Sequence, residues 1–142
     1  MKIKMLVSLL LLFLITSSWL IYRENPNNSY RAPGTSASAH KIRIDDQYYV
    51  NSISATYSSI IFDDNDGHYK SFTDLLVRLN WDDNYIVASY LVELNSKELN
   101  YLILNKDTHE VTTYLTVNDF KTAMAEKDIN LNLKRKHEFD WF

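Results

Sequence analysis

Met5 to Tyr22 reads MLVSLLLLFLITSSWLIY, eighteen residues without a charged side chain. A helix of that length rises about 27 Å, close to the hydrocarbon thickness of a bilayer. Lys2 and Lys4 precede the run, and positive charge favours the cytoplasmic side. Trp19 and Tyr22 stand at its far end, where amphipathic rings favour the membrane interface. The expectation is a single-pass membrane helix over residues 1–22. Its N-terminus would be cytoplasmic, with the rest of the chain periplasmic or extracellular. The alternative is a cleaved signal peptide and a secreted product. The charged start and leucine-rich middle suit that as well, and Thr16 and Ser18 offer a small-x-small cut.

Residues 23–40, RENPNNSYRAPGTSASAH, hold both prolines, one of the two glycines and a Ser/Ala run. Nothing in them is periodic. They read as a flexible spacer between membrane and domain. Residues 41–142 then form one domain of roughly 100 residues, enough for a single modest core. The chain carries −3, and the two lysines of the apolar segment leave −5 for the remainder. That balance argues against a nucleic-acid partner, which needs a basic face. There is no cysteine, so disulfides, thiol catalysis, thiolate metal sites and lipidation at cysteine are excluded.

With so few glycines, turns must use Asn and Asp, which tolerate left-handed backbone and bond their own main chain. Asn/Asp clusters do punctuate short apolar runs throughout the domain. Gln47–Asn51 and Ala55–Phe62 read as strands. Asp63–Gly67, DDNDG, reads as a hairpin turn. Tyr69–Trp81 reads as a strand burying Leu75, Val77, Leu79 and Trp81, with a short helix near Ser71 as the alternative. Tyr85–Glu93 is apolar on both faces, which predicts a central strand. Tyr101–Asn105 and Val111–Leu115 flank a tight turn at Lys106–His109. Thr116 is placed to cap a helix of about 11 residues, with Asp119 in the capping-box position. Phe120, Ala123 and Met124 share its buried face. Leu131 and Leu133 suggest one more extended segment. The predicted fold is mainly β (α+β): an antiparallel meander of about five to seven strands with one C-terminal helix packed on it, behind an N-terminal transmembrane helix.

Candidate chemistry is sparse. DDNDG lacks the acids that a calcium-binding EF-hand needs at its first and twelfth positions, so it reads as a solvated turn. His40, His68, His109 and His137 have no zinc-ligand spacing and read as surface residues. No G-x-S-x-G elbow surrounds any serine, and no glycine-rich phosphate loop exists. Asp45, Asp46, Asp82, Asp83, Glu93, Glu98, Asp107 and Glu110 fall in turns or on strand exteriors, where solvation explains them. Paired acids of that kind are still what glycoside hydrolysis requires. Lys134-Arg135-Lys136-His137 is the one basic cluster, offset by Glu138 and Asp140, and reads as a solvated tail. Phe139, Trp141 and Phe142 crowd the last four residues. They are expected either to dock on the sheet or to contact a partner. No catalytic, cofactor or metal residues are assigned.

DDQYYVN (Asp45–Asn51), LNWDDNYIVA (Leu79–Ala88), YLILNKDTHEV (Tyr101–Val111) and TVNDFKTAMAEKDI (Thr116–Ile129) follow one another in a characteristic order. In that order and content the chain resembles a loose family of small bacterial membrane-anchored or lipoprotein-type envelope proteins of unknown function. In the family pattern a Gly-Pro turn leads into the helix; here Thr113-Tyr114 stands near that place. The resemblance implies an architecture and a location, and no activity.

The sequence therefore points to a membrane-anchored, extracytoplasmic, non-enzymatic protein-interaction module, immunity- or inhibitor-like in one version. A small carbohydrate-binding or hydrolytic domain using the Asp63–Asp66 and Asp82–Asn84 turns is the first alternative. A structural envelope component is the second.

Overall fold

The computed structural model describes residues 40–139, apart from Ala55 and Asn65. The expected anchor, the spacer up to its last residue, and Trp141 and Phe142 lie outside the described residues. Among the described residues no helix is long and apolar enough to cross a membrane.

The described chain is mainly β, with two antiparallel sheets and one α-helix. The first sheet takes β1 (His40–Arg43), β2 (Tyr48–Ser52), β3 (Ser58–Asp63) and β4 (Tyr69–Ser71) in sequence order. The second contains β5 (Leu76–Trp81), β6 (Tyr85–Leu91), β7 (Leu99–Asn105), β8 (Val111–Tyr114) and β9 (Lys134–Arg135). Its spatial order is β8-β7-β6-β5-β9. Helix α1 (Val117–Glu126) joins β8 to the segment before β9, and a 3₁₀ turn (Lys136–Glu138) follows β9.

A single meander of five to seven strands is thus corrected to nine strands in two sheets among the described residues. The break falls inside Tyr69–Trp81, which the alternation pattern reads as one strand. Only Tyr69–Ser71 pairs with β3. Phe72 N–H then donates to the Ile60 carbonyl, and the buried Thr73 hydroxyl accepts from Ile60 N–H. Leu75 makes a parallel bridge with Ser58 as the chain crosses to the second sheet. The register also slips between Leu76 and Arg78, opposite Tyr90 and Ser89. That bulge puts Leu76 and Leu79 together in the core, so Leu75, Val77, Leu79 and Trp81 do not form one buried face. The strand β1, beginning at the last residue of the expected spacer, carries a single buried apolar side chain, Ile42, and gave no alternation to read.

The sheets pack face to face. Ile42, Tyr48, Val50 and Ile60 from the first meet Leu76, Leu79, Ile86, Ala88, Leu102 and Leu104 from the second. Strand β6 is central and buries both faces, as its composition predicts. Its Ile86 and Ala88 point between the sheets, and Val87 points the other way, under α1.

Helix α1 starts as its sequence predicts. The Thr116 hydroxyl accepts the Asp119 N–H at 3.1 Å and donates to the Asp119 carboxylate at 2.7 Å. Phe120, Ala123 and Met124 are buried on Val87 and Ile103. The helix ends in a Schellman motif: Ile129 N–H reaches the Met124 carbonyl and Asp128 N–H reaches that of Ala125. Asp128 holds the left-handed position, φ 54°, that glycine usually fills. This cap turns the chain so that Ile129, Leu131 and Leu133 run back over the sheet.

Candidate functional site

Acids from several turns meet in one cleft. A cleft of about 520 Å³ is lined by Asp45, Asp46, Gln47, Tyr48, Asp83, Lys106 and Asp107. No described residue of the Asp63–Asp66 turn lines it. The carboxylates that the structure explains are closing turns. Asp45 Oδ1 accepts the N–H groups of Gln47 and Tyr48, and Asp82 Oδ1 those of Asn84 and Tyr85. Asp64 Oδ1 likewise accepts the N–H groups of Asp66 and His68. Asp46 pairs with Arg43. Glu93, Glu98 and Glu110 are exposed. Burial pushes the Asp45 carboxyl up. Hydrogen bonds from Lys106 and the turn N–H groups, with the Lys106 charge, outweigh that and hold it below the usual carboxylate range.

The histidines divide. His137 is exposed, and His68 pairs with Asp64 at 2.8 Å on the surface. His109 departs from the surface reading. It takes a left-handed backbone, φ 58°, and its Nδ1 lies 2.6 Å from the hydroxyl of the buried Tyr48. Its ring packs 4.5 Å from that of Phe62. Among the described residues no group of three or more His, Asp or Glu side chains is placed to hold a metal ion.

The basic cluster is not a loose tail. Lys134 and Arg135 form β9 on the edge of β5. Lys136 turns inward to the Ser58 hydroxyl, which also contacts Ser52 Oγ at 3.1 Å. Burial pushes the Lys136 amine down. A lysine beside a serine is the raw material of a nucleophile and base. Ser58, however, is wholly enclosed, so this pair fastens the 3₁₀ turn to the first sheet. Phe139 stacks on Trp81, with ring centroids 5.0 Å apart and planes 15° from parallel. Trp141 and Phe142 lie outside the described residues.

The feature that sequence reasoning missed is a groove on the outer face of the second sheet. It measures about 760 Å³, within the usual range for ligand sites. Helix α1 forms one wall through Phe120, Lys121, Met124 and Ala125. Residues 129–133, turned by the Schellman cap, form another, and Asn80 Nδ2 pins them by donating to the Asn132 carbonyl at 2.7 Å. Across the sheet, strand registers place Arg135 beside Arg78, Arg78 beside Ser89, and Ser89 beside Tyr101. All four line the groove. Two guanidinium groups on directly paired residues repel each other unless an anion lies near. Glu138 supplies one from outside the groove. Its carboxylate accepts the Arg135 N–H and feels the charges of His137, Arg78 and Arg135, which holds it below the ordinary range. The groove lining itself contains three cations, Arg78, Lys121 and Arg135, and no carboxylate.

Ser89 is 1% exposed, and its hydroxyl has no hydrogen-bond partner among the described residues. A buried hydroxyl left unpaired costs about 1–3 kcal/mol. No single stretch of sequence signals this row, because its residues are brought together by pairing across four strands.

No protein family, curated protein or solved structure matches this chain.

Proposed function

We propose that this domain is a non-catalytic binding module, held on the outer side of a membrane by the 1–22 segment, that takes part of a partner protein into the groove between α1 and strands β5–β7. The observation that carries the reading is the groove itself. Its walls carry apolar side chains from α1 and residues 129–133, and it includes a buried hydroxyl, Ser89, with no partner among the described residues. Binding sites combine those two features: apolar walls and a few polar groups awaiting a complement. Hydrolytic and carbohydrate-binding alternatives have less support, because Asp45, Asp64 and Asp82 already spend their carboxylates on turn N–H groups. The apolar run Met5–Tyr22 and the envelope-protein resemblance support the location.

A photo-crosslinking residue at Lys121, on the groove wall, tests the reading in intact cells, with Lys70 on β4 as the control position. A discrete adduct from position 121, absent from position 70 and lost when Ala125→Trp fills the groove, is the expected result. Recovery of the lone protein from position 121 under several growth conditions would sink it.

A further inference from the structure

We infer that the groove recognises an acidic segment of its protein partner, with a side-chain carboxylate seated on the Arg135–Arg78–Ser89–Tyr101 row and a neighbouring apolar side chain against α1. This rests on the groove being the binding surface and adds what the groove selects.

The geometry carries the charge preference. Arg78 and Arg135 are cross-strand partners, so their side chains start from adjacent positions on one edge of the groove. A guanidinium presents a planar fork of donors that matches a carboxylate, and here two such forks share the charge of Glu138. Lys121 adds a third positive charge from the helix wall, and no lining residue opposes it. A cationic or strongly basic segment would meet three like charges there.

Next along the row, Ser89 has no partner among the described residues, and Tyr101 follows it. A peptide offers a backbone N–H and C=O beside every side chain, so it can satisfy a hydroxyl next to the site of its own carboxylate. An acyl chain offers nothing to Ser89. That difference favours a peptide over a single-chain lipid anion. Val117 and Ala125, exposed lining residues of α1, give the adjoining apolar side chain its contact.

The test uses the full-length protein in nanodiscs of zwitterionic phosphatidylcholine. Fluorescence anisotropy follows a labelled short peptide of alternating Glu and Leu, and a second peptide with Gln in place of Glu. The Glu peptide is expected to bind saturably, with the Gln peptide weaker by about tenfold, the scale of a lost charge-assisted hydrogen bond. Arg78→Gln and Arg135→Gln should each weaken the Glu peptide by about the same factor. Neither substitution should unfold the domain, since both arginines are exposed, and the thermal melt of each variant is recorded beside its binding. Ala125→Trp should abolish binding of both peptides. Equal binding of the Glu and Gln peptides, still blocked by Ala125→Trp, overturns the acidic preference and leaves the groove reading standing. Binding of the Glu peptide that survives Ala125→Trp overturns both. Laurate binding that Ala125→Trp blocks, with neither peptide bound, reassigns the groove to a lipid anion. Self-association lost in Ala125→Trp, again with neither peptide bound, reassigns it to a second copy. Either result overturns the peptide partner.

Discussion

Lys106 Nζ lies 2.6 Å from the Asp45 carboxylate and ties the two sheets together at one end. Asp45 belongs to the loop between β1 and β2, and Lys106 follows β7. Lys106 is 13% exposed and Asp45 30%, so the pair is largely shielded. Lys106 also donates to the Asp82 carbonyl. Asp45→Asn keeps an acceptor for the turn N–H groups of Gln47 and Tyr48 but removes the charge opposite Lys106. It should lower stability by about 1–2 kcal/mol in urea unfolding. Asp45→Ala, which also orphans the two N–H groups, should cost more.

The same pair sets an acid limit. Because folding depresses the Asp45 pKa, the folded state holds fewer protons than the unfolded state in the carboxylate range. The contribution is fully present above the ordinary Asp value of 3.8 and is lost as pH falls through the lower folded value. Wild type should therefore lose stability more steeply than Asp45→Asn as pH is lowered through and below that value. Parallel slopes in the two proteins would refute the assignment.

An alkaline limit follows from Tyr48. Burial, then the nearby Asp45 carboxylate, push its phenol from 10.0 up to about 12. The folded state holds this proton more tightly than the unfolded state. The stability involved is complete below pH 10 and disappears as pH rises from there to about 12. Tyr48→Phe removes both this titration and the bond to His109. It should cost about 1 kcal/mol at neutral pH, and its stability should then fall less than that of wild type over the alkaline window. Urea midpoints measured across that window provide the comparison.

The contrast between Tyr48 and Thr116 shows which parts of the molecule were legible from the chain. Thr116, Asp119, Phe120 and Met124 act within one helix, so local spacing found the cap and the buried face. The Asp/Asn turns were legible for the same reason, each carboxylate or amide reaching two to four residues along. Tyr48 and His109 are sixty-one positions apart, and only the packing of two sheets makes them neighbours. The sheet break was hidden because Phe72–Asp74 continues the extended pattern while changing partners. The groove was hidden twice over. Its polar row depends on three strand registers, and its outer wall depends on a cap in which aspartate takes a left-handed turn.

That cap gives a stability prediction of opposite sign to those for Asp45 and Tyr48. Asp128 sits at φ 54°, where a β-carbon is strained, and its negative charge lies against the negative end of the α1 dipole. Asp128→Gly removes both penalties and should raise stability by about 0.5–1 kcal/mol, after allowing for the greater entropy of unfolded glycine. Asp128→Ala keeps the strained backbone and should gain less or lose. Thermal unfolding of the two variants side by side separates backbone strain from charge.

Ser89→Ala separates folding from binding in a single substitution. The Ser89 hydroxyl is buried with no partner among the described residues, so folding leaves it less well satisfied than water did. Deleting it removes one small polar atom and leaves the β-carbon packing in place. Stability should stay level or rise by up to about 1 kcal/mol, against the usual direction of a buried substitution. A hydroxyl that completes its hydrogen bond only with the partner contributes in the bound state alone. The same variant should therefore bind the Glu/Leu peptide several-fold more weakly while folding at least as well. Urea unfolding and peptide anisotropy on one preparation decide the matter. A loss of stability with unchanged affinity would make Ser89 a structural residue whose partner forms within the fold.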